Sequence, residues 1–257
     1  MDLVLLENKD RLAYITINRP EKRNALNFEV VKQLKEKIQH ADQDDSVKVI
    51  ILTGAGEVFC AGADLEYLQT LQKNSYDENL KDSLHLKELF ELIYFLKKPV
   101  IAQVNGHAIA GGCGLVSVCD FAFSIPEANF GYTEVRIGFV PAIVSYFLLK
   151  KAGELKAKEL LLTGKIIAAE EAINFNLINE VVEEKKLNDH VEKFANNLCT
   201  NNSGQSMAIT KKMIADLGNM NVSDALNYAS EQNAFARGTE DCKKGIAAFL
   251  NKEKIKW

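Results

Sequence analysis

The chain has 257 residues, 47% of them hydrophobic and 26% charged, with a formal net charge of -4. That is enough apolar material for one large core, and the acidic balance excludes a protein that grips nucleic acid through a basic surplus. No apolar stretch approaches the roughly 20 residues of a membrane span, and the first ten residues lack the basic region and apolar core of a signal peptide.

Taken in order, residues 4–6 and 12–18 alternate and are rich in β-formers, which predicts a pair of strands. Residues 19–24, R-P-E-K-R-N, read as a loop. Asn27 is a candidate cap for a helix whose apolar face is Phe28, Val31, Leu34, Ile38 and Ala41. Residues 47–53 are almost continuously apolar, as a strand covered on both faces is, and residues 100–104 and 121–124 repeat the pattern. Strands alternating with helices argue for an α/β core with parallel strands. Residues 65–96 read as mostly helical, with a polar, solvent-facing middle at 72–82. From residue 143 onward helical segments follow one another, at 143–152, 155–162, 168–174, 187–199, 206–217, 222–237 and 240–251, and only 180–182 looks extended. The chain is therefore read as a core over residues 1–200 and a helical C-terminal region over 201–257.

Two turns carry the chemistry. N-G-H-A-I-A-G-G-C-G-L-V-S-V-C-D, residues 105–120, leaves a buried strand and opens into an apolar helix, with Gly111 and Gly112 at the change of direction. F-C-A-G-A-D-L, residues 59–65, makes a similar turn upstream. Glycines at such turns let backbone N–H groups face a cavity, and two such loops are what a carbonyl becoming an oxyanion requires. Glu134 lies in F-G-Y-T-E-V-R-I-G among apolar neighbours that would raise its pKa, so it is a candidate proton carrier; the competing reading is a surface ion pair with Arg136. Asp64 reads as a helix N-cap and Asp120 as structural. His107 lies inside the first loop and is a candidate pocket residue, against a packing or backbone hydrogen-bonding role. His40, His85 and His190 are scattered and suggest no metal site. Cys60, Cys113, Cys119, Cys199 and Cys242 form no C-x-x-C pair and read as reduced, mostly buried thiols of a cytoplasmic protein. No phosphate-binding G-x-x-x-x-G-K-[ST] run and no strand-linked G-x-G-x-x-G occurs, so phosphoryl and hydride transfer have no support.

These loops together resemble the crotonase family, the enoyl-CoA hydratases and isomerases. The resemblance includes N-R-P-E-K-R-N-A-L-N (18–27), K-P-V-I-A-Q-V-N-G-H-A-I-A-G-G-C (98–113), L-L-L-T-G (160–164) and T-E-D-C-K-K-G-I-A-A-F-L (239–250). It implies an α/β fold, a ClpP/crotonase-like spiral of β-β-α units with a helical C-terminal region, usually built into trimers or pairs of trimers. It implies that the N–H groups of Ala63 and Gly111 bind the thioester oxygen and that Glu134 is the acid/base. Around them, Ala25, Ala61, Gly62, Asp64, Leu65, His107, Gly112, Gly114 and Pro141 would line the substrate site. Lys22 and Arg23 would attract the phosphates of coenzyme A, as could Lys252, Lys254 and Lys256 from a neighbouring subunit. Coenzyme A belongs to the substrate, and no separate cofactor, nucleic acid or membrane partner is expected. The second glutamate of the hydratases falls at position 114, where this chain has Gly114. That glycine and the E-V-R-I-G-F-V-P-A-I run look closer to the methylglutaconyl-CoA hydratase-like branch, active on a branched substrate of leucine breakdown. The expected activity is hydration of an enoyl-CoA; a double-bond isomerase needing one glutamate, or an idle acyl-CoA-binding paralogue, are the alternatives.

Overall fold

The computed structural model describes residues 2–257. The chain opens with an antiparallel pair, β1 (Val4–Lys9) and β2 (Leu12–Ile17). A short 3-10 turn (Pro20–Lys22) precedes α1 (Phe28–Gln43), which Asn27 caps by accepting the Val30 N–H at 3.0 Å. The buried face of α1 is Val30, Val31, Leu34, Ile38 and Ala41. Phe28, expected on that face, is exposed and stacks on His85 with ring centroids 3.9 Å apart.

Next come β3 (Val49–Gly54), β4 (Val58–Cys60), α2 (Leu65–Leu71) and α3 (Tyr76–Phe95). Then follow β5 (Val100–Val104), β6 (His107–Ile109) and α4 (Gly111–Val118). After these come β7 (Phe121–Ser124), β8 (Asn129–Gly131) and a 3-10 turn at Glu134–Ile137. The remainder is α5 (Ala142–Ala152), α6 (Glu154–Thr163), β9 (Ile166–Ala168), α7 (Ala169–Asn174), β10 (Glu180–Val181) and α8 (Glu184–Asn201). The chain closes with α9 (Gly204–Leu217), α10 (Val222–Arg237) and α11 (Glu240–Leu250).

The strands sort into two sheets. The large one runs β1-β2-β3-β5-β7-β10 and is parallel beyond β2; the small one runs β4-β6-β8-β9, with only β9 antiparallel. In each of the pairs β3–β4, β5–β6 and β7–β8 the first strand joins the large sheet and the second joins the small one. The chain therefore advances as a spiral of β-β-α turns, with α4 buried along nearly its whole length. Asn105 locks two of these corners: its Oδ1 accepts the Thr53 hydroxyl and the Gly54 N–H, and its Nδ2 donates to the Gly54 and Gly56 carbonyls at 2.8 Å each.

Sequence patterning predicted the large sheet; the small sheet was not foreseen apart from its turns. The central strands of the large sheet are buried on both faces, Val49, Ile50, Ile51 and Leu52 being no more than 1% exposed. Each such side chain is worth roughly 1.5–3 kcal/mol. The strands of the small sheet have three residues each and show no period.

The helical end differs in character. Leu187, Val191, Ala195 and Cys199 bury one stripe of α8 in the core. By contrast α9 buries only Ala215, α11 only Ala248, and α10 no residue at all. Lys211 fastens α9 to the core: its ammonium donates to the Ile93 and Lys98 carbonyls at 3.1 Å each and to Asp120 Oδ2 at 2.6 Å. Asp120 also accepts the Val100 N–H at 2.7 Å, so it is a structural anchor. Among the described residues no helix is long and apolar enough to cross a membrane.

Candidate active site

Parallel pairing of β4 with β6 puts their C-terminal turns side by side, one entering α2 and the other α4. The turns touch. A Cβ on Gly62 would lie 2.7 Å from Ala110 Cβ, 2.9 Å from the Ile109 carbonyl and 3.3 Å from the Gly111 nitrogen, and its φ is +90°. A Cβ on Gly112 would lie 2.1 Å from the Cys60 carbonyl. Only glycine lets the backbones approach this closely. Among the described residues the N–H groups of Ala63 and Gly111 have no hydrogen-bond partner, whereas Asp64 N–H is used by the Leu26 carbonyl at 2.8 Å. Gly111 is the first residue of α4, so the positive end of the helix dipole adds to its N–H. Ala110, just before it, is a non-glycine residue at φ 52°, a strained conformation costing of order 1–3 kcal/mol and typical of functional turns.

Glu134 follows the next strand of the small sheet. β8 pairs with β6, and Ala110 N–H donates to the Gly131 carbonyl at 2.7 Å, three residues before Glu134. Tyr132, fully buried, steadies the link: its hydroxyl lies 2.5 Å from Ser117 Oγ, and both hydroxyls reach the Cys113 carbonyl of α4. Oε2 of Glu134 is buried with no hydrogen-bond partner, and desolvation by burial raises the carboxyl pKa. Among the described residues Glu134 Oε2 is without a partner, and no ion pair joins the carboxylate to the exposed Arg136.

The residues expected around these groups divide. Ala61, Gly62, Asp64, Leu65 and Gly112 belong to the two turns. Asp64 caps α2 by accepting the Glu66 and Tyr67 N–H groups, and it pairs with Arg19 at 3.0 Å. Ala25 is buried against them, with its carbonyl bound by Arg19 at 2.7 Å. Lys22 and Arg23 are exposed on the adjoining loop, Lys22 paired with Glu66 at 2.8 Å. Pro141 stands at the N-terminus of α5, beyond the Glu134 turn.

At other expected positions the structure shows neighbours that the sequence did not reveal. His107 is the first residue of β6, at the opposite end of the strand from the Gly111 turn, and its exposed ring accepts the Asn129 N–H at 3.1 Å. That contact is the backbone hydrogen-bonding role weighed against the pocket one. Gly114 opens no room, because a Cβ there would lie 2.2 Å from Val144 Cγ1 and 3.2 Å from Phe90 Cε1. The side chain of Val144 fills the space that a larger residue at 114 would need. The tail lysines Lys252, Lys254 and Lys256 lie beyond α11 on a segment whose Trp257 N–H donates to the Thr200 carbonyl at the end of α8. Cysteine chemistry has no support: burial pushes the Cys60, Cys113 and Cys119 thiols up to about 12. Arg19, Asn24 and Leu26, which hold the first turn in place, were not singled out from sequence; the signal for them was the N-R-P-E-K-R-N-A-L-N run itself.

The enoyl-CoA hydratase/isomerase family model matches residues 7–257. The chain belongs to the enoyl-CoA hydratase/isomerase family. It is 35% identical over 254 residues to the crotonyl-CoA hydratase of Syntrophomonas wolfei, covering 98% of this chain and 96% of that one. The short-chain-enoyl-CoA hydratase of Clostridium acetobutylicum is 35% identical with the same coverage. The crystal structure of the Mycobacterium smegmatis enoyl-CoA hydratase superposes with a TM-score of 0.94 at 28% identity, covering 100% of this chain and 99% of the other. The fold is the crotonase fold, and the chain is an enzyme of the hydratase/isomerase family. For this crotonase, the turns that began as glycine patterns are the ends of β4 and β6, and the candidate base hangs from β8.

Proposed function

We propose that this crotonase adds water across the α,β double bond of a short enoyl-CoA thioester. The observation that carries the reading is a pair of unused backbone donors on touching turns, at Ala63 and Gly111, with a buried, unpartnered carboxylate oxygen of Glu134 on the turn that follows the neighbouring strand β8. The thioester oxygen accepts both N–H groups. Ionised Glu134 takes a proton from water as the water oxygen bonds to Cβ; the electron pair moves through Cα to the thioester oxygen. Glu134 then returns a proton to Cα as the enolate collapses, so H and OH have been added and the carboxylate is restored. One well-aimed donor contributes roughly 3–4 kcal/mol to such a transition state, and one acid/base group about 10²–10⁴-fold.

A short linear acyl chain fits better than the branched acidic chain that Gly114 suggested. That expectation rested on a resemblance of Gly114 and its downstream run to one branch of the family, and the glycine itself leaves no open space, since Val144 packs against it. The names of the two hydratase relatives, crotonyl and short-chain, support the same choice. The single carboxylate also favours a second reading: the same groups can shuttle a proton between Cγ and Cα, which is isomerisation. The two are separated by following the conjugated thioester chromophore. Loss of absorbance with crotonyl-CoA supports hydration. Gain of absorbance with a 3-enoyl-CoA, with crotonyl-CoA untouched, would replace hydration by isomerisation.

A further inference from the structure

Beside the groups that would meet substrate, the most connected side chain is Arg19, only 9% exposed. Its Nη1 donates to the Ala25 carbonyl at 2.7 Å, its Nη2 to Asp64 Oδ2 at 3.0 Å, and its own N–H to Asn24 Oδ1 at 2.9 Å. The groups it joins flank one peptide. Leu26, next to Ala25, donates its N–H to the Gly62 carbonyl at 2.7 Å and accepts the Asp64 N–H at 2.8 Å. Between Gly62 and Asp64 lies Ala63, whose N–H the fold leaves unused. The clamping loop is itself held tightly. Arg23 and Asn24 are consecutive left-handed non-glycine residues, at φ 50° and 56°, and the fully buried Asn24 amide donates to the Ala55 and Val58 carbonyls at 2.9 and 2.6 Å. A loop so constrained can set the direction of a neighbouring N–H.

We propose that Arg19 is a positioning residue: by tying the Ala25 carbonyl to the Asp64 carboxylate it aims the Ala63 N–H at the thioester oxygen. The inference rests on the reading of Ala63 as an oxygen-binding donor. A guanidinium can serve two acceptors in fixed directions at once, which a lysine ammonium on a flexible stem does not reproduce. A buried ion pair is a poor device for stability alone, since well-packed apolar groups do as well, so its angular constraint is the more telling property. The charge persists at working pH. Burial would raise the Asp64 carboxyl, but the hydrogen bonds from Arg19 and from the Tyr67 and Glu66 N–H groups outweigh it and hold the pKa below the ordinary 3.8.

The test uses bound cinnamoyl-CoA, whose conjugated thioester absorbs further to the red the more its carbonyl is polarised. The unmodified protein is measured first. If it binds the thioester with no red shift, the donor reading fails and the proposal falls with it. Given a shift, Arg19→Lys and Asp64→Asn should each diminish it. Each should lower kcat by about 10–100-fold, with KM for crotonyl-CoA moving less than about threefold. The acid limb of the pH profile, set by Glu134, should stay in place. The double variant should lose no more than the worse single, because both break one link. Arg19→Met removes the link outright; should it not fold, the two conservative variants decide. A full red shift and unchanged kcat in folded Arg19→Lys and Asp64→Asn would overturn the proposal, even if both melted earlier, because that is the signature of a purely structural pair.

Discussion

At the scale of single residues, the proposed site is built from what the fold leaves unsatisfied. Ala63 and Gly111 keep free N–H groups, and Glu134 keeps a buried oxygen without a donor. An unsatisfied buried acceptor costs stability, on the order of 1–3 kcal/mol, and is tolerated where chemistry uses it. Glu134→Gln should therefore lower kcat by roughly 10²–10⁴ while leaving binding of the thioester nearly intact, as read by steady-state kinetics and by titration with a non-reacting CoA ester. The pH dependence follows from the raised carboxyl pKa. The base must be ionised, so kcat/KM should fall as pH drops through a value above the ordinary 4.5. For stability the sign is opposite. A raised folded-state pKa favours the fold fully below 4.5, and that contribution is lost as pH rises through the folded value. Glu134→Gln should thus be at least as stable as the parent at neutral pH, and a fall in its melting temperature there would contradict the assignment of burial as the cause.

The same scale decides Gly114. Its neighbour Val144 leaves no space for even a methyl group, at 2.2 Å. Gly114→Ala should cost about 1–3 kcal/mol by overpacking, measured as a shift in denaturant midpoint, and pairing it with Val144→Ala should recover much of the loss. Glycine at this position was read from sequence as a missing glutamate and a substrate-lining residue. What a missing side chain leaves behind depends on what packs against it, and Val144 is 30 residues away in the chain. Sequence reasoning had no means of seeing that neighbour.

At the scale of elements, the small sheet matters most. Its three-residue strands β4, β6 and β8 lie side by side and lead into the turns that carry Ala63, Gly111 and Glu134, although these residues span 71 positions of sequence (134 minus 63). Strands this short have no measurable alternation, so patterning found the turns but not the sheet that aligns them. Longer elements were legible: α10 was expected at 222–237 and is found at Val222–Arg237, and β7 likewise at Phe121–Ser124. The helical end is attached through few contacts, and Lys211 is the chief polar one. Replacing one partner of a mostly buried ion pair strands the other, so Lys211→Met should destabilise the protein by about 3 kcal/mol. Hydrogen exchange should show the loss concentrated in α9 and in the Val100 N–H, whose acceptor Asp120 would be freed.

At the scale of the whole molecule, the C-terminal helices present apolar side chains to solvent: Val222 is 77% exposed, Leu226 64%, Phe235 62% and Phe249 83%. Large exposed apolar surfaces mark association sites. We infer that copies of this chain associate through them, in keeping with the trimer expected from the family resemblance. Light scattering at micromolar concentration should give a mass near a multiple of 28.6 kDa, and Phe249→Asp should shift it toward a single chain. A monomer in the parent protein would remove this reading.

By itself the sequence determined the class of the fold, the buried strands of the large sheet, the helical end, and the glycine turns that could offer backbone donors. It did so because long apolar runs and helical periods are local properties, set by residues within a few positions of one another. The tertiary structure alone decided that His107 turns to Asn129, that Val144 closes Gly114, and that Arg19 reaches across to Asp64. Each of those depends on a contact between residues 22 or more positions apart, brought together by strand pairing and helix packing whose partners no local pattern names.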